Sequence, residues 1–442
     1  MQQPHPDTPS TRLLKSSIAV RRSGCRPLAR LLFVGLLAAL LLPLWPSRLV
    51  QSAPSSQPGA FLAAFDGRPP APTPWHDAGW DVSVHSRDRE TWQELEPIAA
   101  HHGGDCSAPP NAHLINQYED AVYHCNNHIM TAINATGYGL IYLTPNQLVD
   151  FSGGEAVVKF DLSTLRTSER DWVDIWLTPY DEHLQLPLDG WLPDLGGEPR
   201  RTVHIRMNSS NGQTGFSAKV FNDTQVQELK GKWWVGYESF LTPSAVRRDP
   251  FELRISRTSL KFGMPTYDQW WLDEQIAPLG WDKAVVQFGH HSYTPSKDCN
   301  NTCGPNTWHW DTVGIEPAVP FTIISAVQRW ASEDRGTTVE FKGPAPAGSH
   351  LRFSAIGSEM AVSYDGGASW QAAQPRAIRR DKDPNGAFLS YWTPMPAGAN
   401  SVMLRGGGWY GGGWAARDFS IWSLEAPGAA GPSSPGEEGP TD

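Results

Sequence analysis

Apolar and polar residues alternate with a period of two through much of the chain, the pattern of strands that bury one face. In "EAVVKFDLS" Val158 and Phe160 alternate with Lys159 and Asp161. In "DWVDIWLTP" Val173, Ile175 and Leu177 point one way, and Trp172, Asp174 and Trp176 the other. "RTVHIRMNS" sets Val203, Ile205 and Met207 against His204 and Arg206, and "FELRISRT" sets Phe251, Leu253 and Ile255 against Glu252 and Arg254. Further along, "KAVVQFGHHSY" puts Val286 and Phe288 in the core, with Gln287, Gly289 and His291 opposite; the adjacent His290 and His291 must face different sides. In "TWHWDTVGI" strict parity buries Val313 and Ile315 and aims Trp308 and Trp310 outward, whereas a bulge would exchange them for His309 and Asp311. Turn signals such as "SGGE" and "NSSNGQ" separate these runs, so the predicted class is all-β and the architecture an antiparallel sandwich.

The succession of "FLAAFDG", "PFELRISRTSLKFGM", the Gln287 strand and "HWDTVGI" resembles the concanavalin A-like lectin and glucanase superfamily over about residues 61–324. The resemblance implies a jelly roll of two curved sheets whose concave face binds or cleaves carbohydrate. A smaller β-sandwich is predicted over 325–424. Its "SYDGGASW" resembles an Asp-box, in which Asp365 caps backbone N–H groups, Gly367 takes positive φ and Trp370 packs the hairpin. One copy makes neither a propeller nor a sialidase. "RGGGWYGGGW" places Trp409, Tyr410 and Trp414 on a glycine-rich loop, where they either stack on sugar or pack against the neighbouring domain.

The two ends of the chain change the picture. Residues 1–60 read as an export signal or signal anchor followed by a Pro/Ser linker: basic residues precede "LLFVGLLAALLLPLW", which Pro43 and Pro46 close short of a full span, favouring cleavage over a retained anchor. Residues 425–442 form a polar tail that buries too little to order itself. The body is therefore expected outside the cell or at its surface, touching membrane only through the N-terminal segment. Without residues 1–50, which carry seven basic side chains against one acidic, the formal net charge falls from -10 to -16. An acidic exported body excludes nucleic acid as the expected partner and suits neutral glycans better than polyanions unless a basic patch lies at the site. Nothing in the chain specifies an oligomeric state.

Four cysteines lie beyond the targeting segment, and an oxidising compartment predicts two bridges; of the three connectivities, Cys106 with Cys125 and Cys299 with Cys303 close local loops. "VVQFGHHSYTPSKDCNNTCGPNTWHWD" offers His290, His291, His309 and two thiolates as zinc ligands, but a lone C-x3-C around "NNT" reads as a disulfide-pinned hairpin, and no metal or cofactor is expected.

The candidate site is a polar, aromatic face: Trp172, Asp174, Trp176, His204, Arg206, Glu252, Arg254, Gln287, His291 and Trp310. Tryptophan stacks on the apolar faces of sugar rings, and paired donors and acceptors meet their hydroxyl edges. Cross-strand ion pairs, Arg206 with Glu252 or Arg254 with Asp174, are the plain structural alternative. Glucanases of the resembled superfamily carry E-x-D-x-x-E on a bulged strand. Here "ERDWVD" supplies Glu169, Asp171 and Asp174, with aspartate in the acid/base position, a departure that shortens its reach. The expected function is lectin-like carbohydrate binding. The alternatives are a glycosidase using Glu169, Asp174 or Glu252, a polysaccharide lyase using His204 or His291 as base with Arg206 neutralising a uronate, or a structural surface protein.

Overall fold

The structure, a computed structural model, describes residues 59–64, 79–86, 101–102, 121–125, 128–133, 138–166, 171–185, 200–210, 213–223, 225–230, 248–293, 306–328, 330–334, 336–375, 389–407 and 413–424. The export segment, the polar tail, Glu169, Cys106, Cys299, Cys303, Trp409 and Tyr410 lie outside these residues, and of Cys125 only the backbone is described. Among the described residues, no helix is long and apolar enough to cross a membrane.

The alternating strands build two nine-stranded sheets. The first runs Gln269–Gln275, Ser259–Met264, Asp249–Ile255, Ala156–Arg166, Asn306–Glu316, His128–Ile133, Ala121–Cys125 and His101–His102, with Phe61–Ala63 added against Asn306–Glu316. The second runs Gln225–Lys230, Gln213–Asn222, Arg201–Ser210, Asp171–Thr178, Lys283–Tyr293, Tyr138–Pro145 and Trp80–Ser86. Gln147–Asp150 pairs with Lys283–Tyr293 in this sheet and carries Ala318–Pro320 on its other side. Neighbours are antiparallel except His101–His102 with Ala121–Cys125. The chain is thus an all-β sandwich, as its alternation predicts, and a jelly roll, as the resemblance implies.

One apolar core joins the sheets. Val158, Phe160, Leu162, Phe251, Leu253 and Ile255 from the first meet Val173, Ile175, Leu177, Val203, Ile205 and Met207 from the second. These are the residues that parity assigns inward. Phe160 stacks on Phe251 at 5.5 Å between centroids and meets Phe288 edge-on at 5.5 Å, so aromatic contacts bridge both layers.

Strict parity fails in Asn306–Glu316. Its register against Ala156–Arg166 shifts between Asp311 and Gly314, with Thr312 at φ 48°. Residues on the two sides of the bulge therefore change phase. Val313 and Ile315 stay buried, and Trp308 and Trp310 join them in the core. Trp310, proposed as a ligand contact, instead packs on Phe288 and donates its Nε1–H to Thr131 Oγ1 at 3.1 Å. The large rings win the interior because their buried area outweighs the cost of a local bulge.

A second, smaller sandwich follows, a six-stranded sheet and a four-stranded sheet around Val339, Leu351, Phe353, Val362, Leu404 and Ile421. Ala318–Pro320 pairs within the second sheet and Thr322–Ser325 pairs with Ala415–Ser423 of the smaller sandwich. The described residues between 51 and 442 belong to one compact unit. At the junction Leu148, Leu184 and Val285 pack on Phe321, Trp392 and Trp422, and Arg352 Nη1 bonds both oxygens of buried Asp81 at 2.5 Å. Trp414 is buried in the second core and presents no stacking platform. In the "SYDGGASW" turn, Asp365 Oδ1 accepts from the Ser369 N–H at 2.8 Å, Gly367 sits at φ 92°, and Trp370 lies under the Arg405 guanidinium at 4.4 Å.

Candidate functional site

The outer face of the second sheet gathers most of the predicted polar residues around one carboxylate. Asp171–Thr178 is an inner strand, flanked without register shift by Arg201–Ser210 and Lys283–Tyr293. Asp174 lies directly opposite Arg206 on one side and Gly289 on the other; Trp176 lies between His204 and Gln287, and Trp172 opposite His291. Cross-strand partners share a face, so the register alone brings these side chains together.

Asp174 is fully buried, and its charge is answered on every side. Oδ1 lies 2.7 Å from His204 Nε2 and accepts from Arg206 Nε at 3.1 Å. Oδ2 stands 2.6 Å from His291 Nε2, a contact of charge proximity whose geometry departs from a linear hydrogen bond. Burial by itself would raise the carboxyl pKa, but His291, Arg206 and His204 outweigh it and hold Asp174 well below the usual carboxylate range. Burial pushes His204 down further than Asp174 pulls it up, and takes His291 down to about 4. Both imidazole pKa values are thus moved below the ordinary histidine range, and that of Asp174 below the ordinary carboxylate range.

Aromatic rings wall this cluster. Trp176 stacks on His204 at 3.8 Å and 11°, and Trp172 stacks on His291 at 5.5 Å with the Arg206 guanidinium 5.0 Å from its ring. The tryptophans expected to offer open faces to sugar thus hold the histidines and the arginine in place. Trp176 Nε1 is buried and has no hydrogen-bond partner among the described residues. Gly289 is small for a reason: a Cβ there would come within 2.9 Å of His291 Nε2 and of Tyr142 Cε1. The space it leaves is what lets His291 and Tyr142 meet edge-on beside Asp174. Gln287 donates to Thr144 Oγ1 at 3.3 Å, completing the floor.

His204 carries the cluster's outlet. Nε2 is committed to Asp174, which in a neutral ring leaves Nδ1 as the lone-pair nitrogen. Nδ1 has no hydrogen-bond partner among the described residues, and the His204 side chain is 10% exposed. Arg206 also reaches the surface, its side chain 20% exposed.

Other predicted members lie elsewhere. Glu252 and Arg254 belong to the first sheet, on its outer face, where Arg254 Nε meets Glu252 at 2.5 Å and Glu155 lies 3.6 Å from Arg254. The ion pairs expected between Arg206 and Glu252, or Arg254 and Asp174, are exchanged: Arg206 holds Asp174, and Arg254 holds Glu252. Alternation could not tell the sheets apart, because both strands show the same period. Asp171 faces the opposite side from Asp174. It is buried between the sheets, bonded to His290 Nε2 at 3.0 Å and to Trp308 Nε1 at 2.8 Å. Without a bulge in this strand, the glucanase-like triplet does not assemble on one face. The histidines considered as zinc ligands are also dispersed: His290 lies in the core, His291 in the Asp174 cluster, and His309 against His128 at 2.8 Å. Among the described residues, no group of three or more His, Cys, Asp or Glu could hold a metal ion.

Tyr142, Thr144 and Lys219 join this face unannounced by the sequence reading. "LIYLT" and "SAKVF" carry the signal, since both alternate polar with apolar residues as the chosen strands do.

No family model and no curated protein matches the chain. Among solved structures it is similar to a Bacillus licheniformis beta-glucanase, with 8% identity over 58% of this chain and 98% of that one and a TM-score of 0.33. A putative beta-glucanase from Mycobacterium abscessus aligns at 10% identity over 58% and 98% of the two chains, TM-score 0.33. The Emp46p carbohydrate recognition domain aligns at 11% over 45% and 86%, TM-score 0.30. These likenesses are too distant to bear on the site, whose chemistry is read from its own residues.

Proposed function

We propose that the protein is an exported, lectin-like carbohydrate-binding protein that takes a glycan at the outer face of the Asp171–Thr178 strand. The observation that carries this reading is the buried Asp174 with His204, Arg206 and His291 around it. Burying a carboxylate is costly unless it is paired and hydrogen-bonded. The side chains of Arg206 and His204, 20% and 10% exposed, bring donor and acceptor groups to the surface of this cluster, a mixture suited to hydroxyl-rich ligands.

Hydrolysis by paired carboxylates has weaker support. Such catalysis needs two carboxyl groups about 5–9 Å apart across the bond. Glu252 lies on the other sheet and Asp171 inside the sandwich, so Asp174 is the one predicted carboxylate on this face among the described residues. The lyase alternative keeps its base, because His204 Nδ1 has no partner among the described residues.

Retention on insoluble polysaccharides and on a glycan array tests the reading, with wild type compared against Arg206→Ala and Trp172→Ala of verified secondary structure. Loss of retention of about tenfold or more in both variants is expected. Undiminished retention in both would remove this face from glycan recognition.

A further inference from the structure

We propose that this face is a β-eliminating site for 4-linked acidic polysaccharide, with His204 as the proton-transferring catalytic residue, Asp174 as its positioning residue and Arg206 as the partner of the uronate carboxylate. The inference rests on the reading that this face binds carbohydrate, and it names the ligand class and the reaction.

The geometry selects the chemistry by what it offers and what it omits. It offers an imidazole whose Nε2 is fixed on a buried carboxylate at 2.7 Å and whose Nδ1 has no partner among the described residues, on a side chain 10% exposed. That is the arrangement of a general base with a set tautomer and a counter-charge for its protonated form. It places a guanidinium beside the same carboxylate, reaching solvent. No second carboxylate contacts His204 or Arg206 among the described residues: on the same face Asp81 is held by Arg352, and Glu228 lies on the edge strand opposite Lys219. In a sugar chain, a single base beside a cation can act on the C5 proton of a uronate, which is acidified by the adjacent carboxylate once a guanidinium neutralises it.

The step balances on His204 alone. Nδ1 removes the C5 proton, the C5–H electron pair forms the C4–C5 double bond, and the C4–O bond breaks. The imidazolium, stabilised by Asp174, then returns the proton to the departing oxygen. One product ends in an unsaturated uronate and the other in a free hydroxyl. A single shuttle reaches both atoms only when the C5 hydrogen and the C4 oxygen lie on the same side of the ring. Glucuronate meets that condition and galacturonate does not, so the site should discriminate between them.

The body's net negative charge gives such a polymer no long-range attraction. Recognition therefore falls to local cations. Arg206 is one, and Lys219, opposite His204 in register and acting electrostatically on its ring, is the second, with exposed Glu228 beyond it on the edge strand.

The test uses the full chain with 4-linked polyglucuronate and polygalacturonate, following retention and the ultraviolet absorbance of unsaturated uronate. Wild type should bind polyglucuronate and release unsaturated product from it alone. His204→Gln should lose turnover by roughly 10²–10⁴-fold, the usual contribution of a general base, a far larger loss than any it causes in retention. Asp174→Asn should lower kcat and move the acid limb of the pH profile to lower pH, because Asp174 raises the His204 pKa; a merely structural role would leave that limb in place. Binding of polyglucuronate without unsaturated product would overturn the elimination and leave the binding reading intact. Undiminished product from His204→Gln, or equal turnover of polygalacturonate, would overturn the assignment of His204. Retention of neither polyuronate would overturn the acidic ligand class and with it the elimination, whereas the binding reading falls only if no glycan of the array or insoluble polysaccharide is retained either.

Discussion

Asp171 and Asp174 stand three residues apart on one strand and face opposite sides of it, each with one of the neighbouring histidines: His290 lies 3.0 Å from Asp171 between the sheets, and His291 lies 2.6 Å from Asp174 on the outer face. One strand pairing thus serves two polar clusters, a structural one inside and a candidate functional one outside. A one-residue slip between Asp171–Thr178 and Lys283–Tyr293 would put each histidine on the wrong side, so the buried pair fixes the register on which the outer cluster depends.

Replacing Asp171 with leucine should therefore destabilise the fold, since the His290 and Trp308 ring N–H groups lose their buried acceptor. A buried donor left unsatisfied costs about 1–3 kcal/mol. The urea midpoint should fall accordingly, and no change in the midpoint would show that the pair is dispensable.

Gly289→Ala separates site from scaffold. The new methyl would lie 2.9 Å from His291 Nε2 and Tyr142 Cε1, so those rings must move while the core beneath stays packed. Overpacking of this kind costs roughly 1–3 kcal/mol. Glycan retention is expected to drop much more than thermal stability, which paired retention and melting measurements would show.

The junction between the sandwiches makes a double-variant test. Arg352→Leu leaves the Asp81 carboxylate buried without its guanidinium, at a cost of about 3–5 kcal/mol. Adding Asp81→Leu should restore most of the loss, because the uncompensated charge goes too. Equal destabilisation of single and double variants in denaturant unfolding would contradict this account.

Stability should decline on acidification through the histidine range. His291 and His309 are held down to about 4 and about 3 by burial, and His204 is also lowered, while the unfolded value lies near 6.5. Between these values the unfolded chain binds more protons, so the stabilisation is complete above about pH 6.5 and shrinks as pH falls toward 4. Each proton contributes roughly 1.4 kcal/mol per pH unit at most. Asp174, held low, adds a loss only below the ordinary carboxylate range. Urea midpoints between pH 7.5 and 4.5 read the slope, and His309→Gln should reduce it.

The chain's alternation by itself determined which residues of each strand are buried, and with that the sandwich class, the outward side of Trp172, Asp174, Trp176, His204, Arg206, Gln287 and His291, and the opposed aim of His290 and His291. A period of two is a local property, and local sterics enforce it wherever a strand forms. Only the tertiary structure decided which sheet each strand joins, which sent Glu252 and Arg254 away from Asp174, and where a bulge resets parity, which buried Trp308 and Trp310. Those outcomes depend on pairing between distant segments and on how much apolar area each pairing removes from water. That the two tryptophans beside Asp174 stack on His204 and His291 is likewise a matter of neighbours brought together by strand order, which no window of sequence contains.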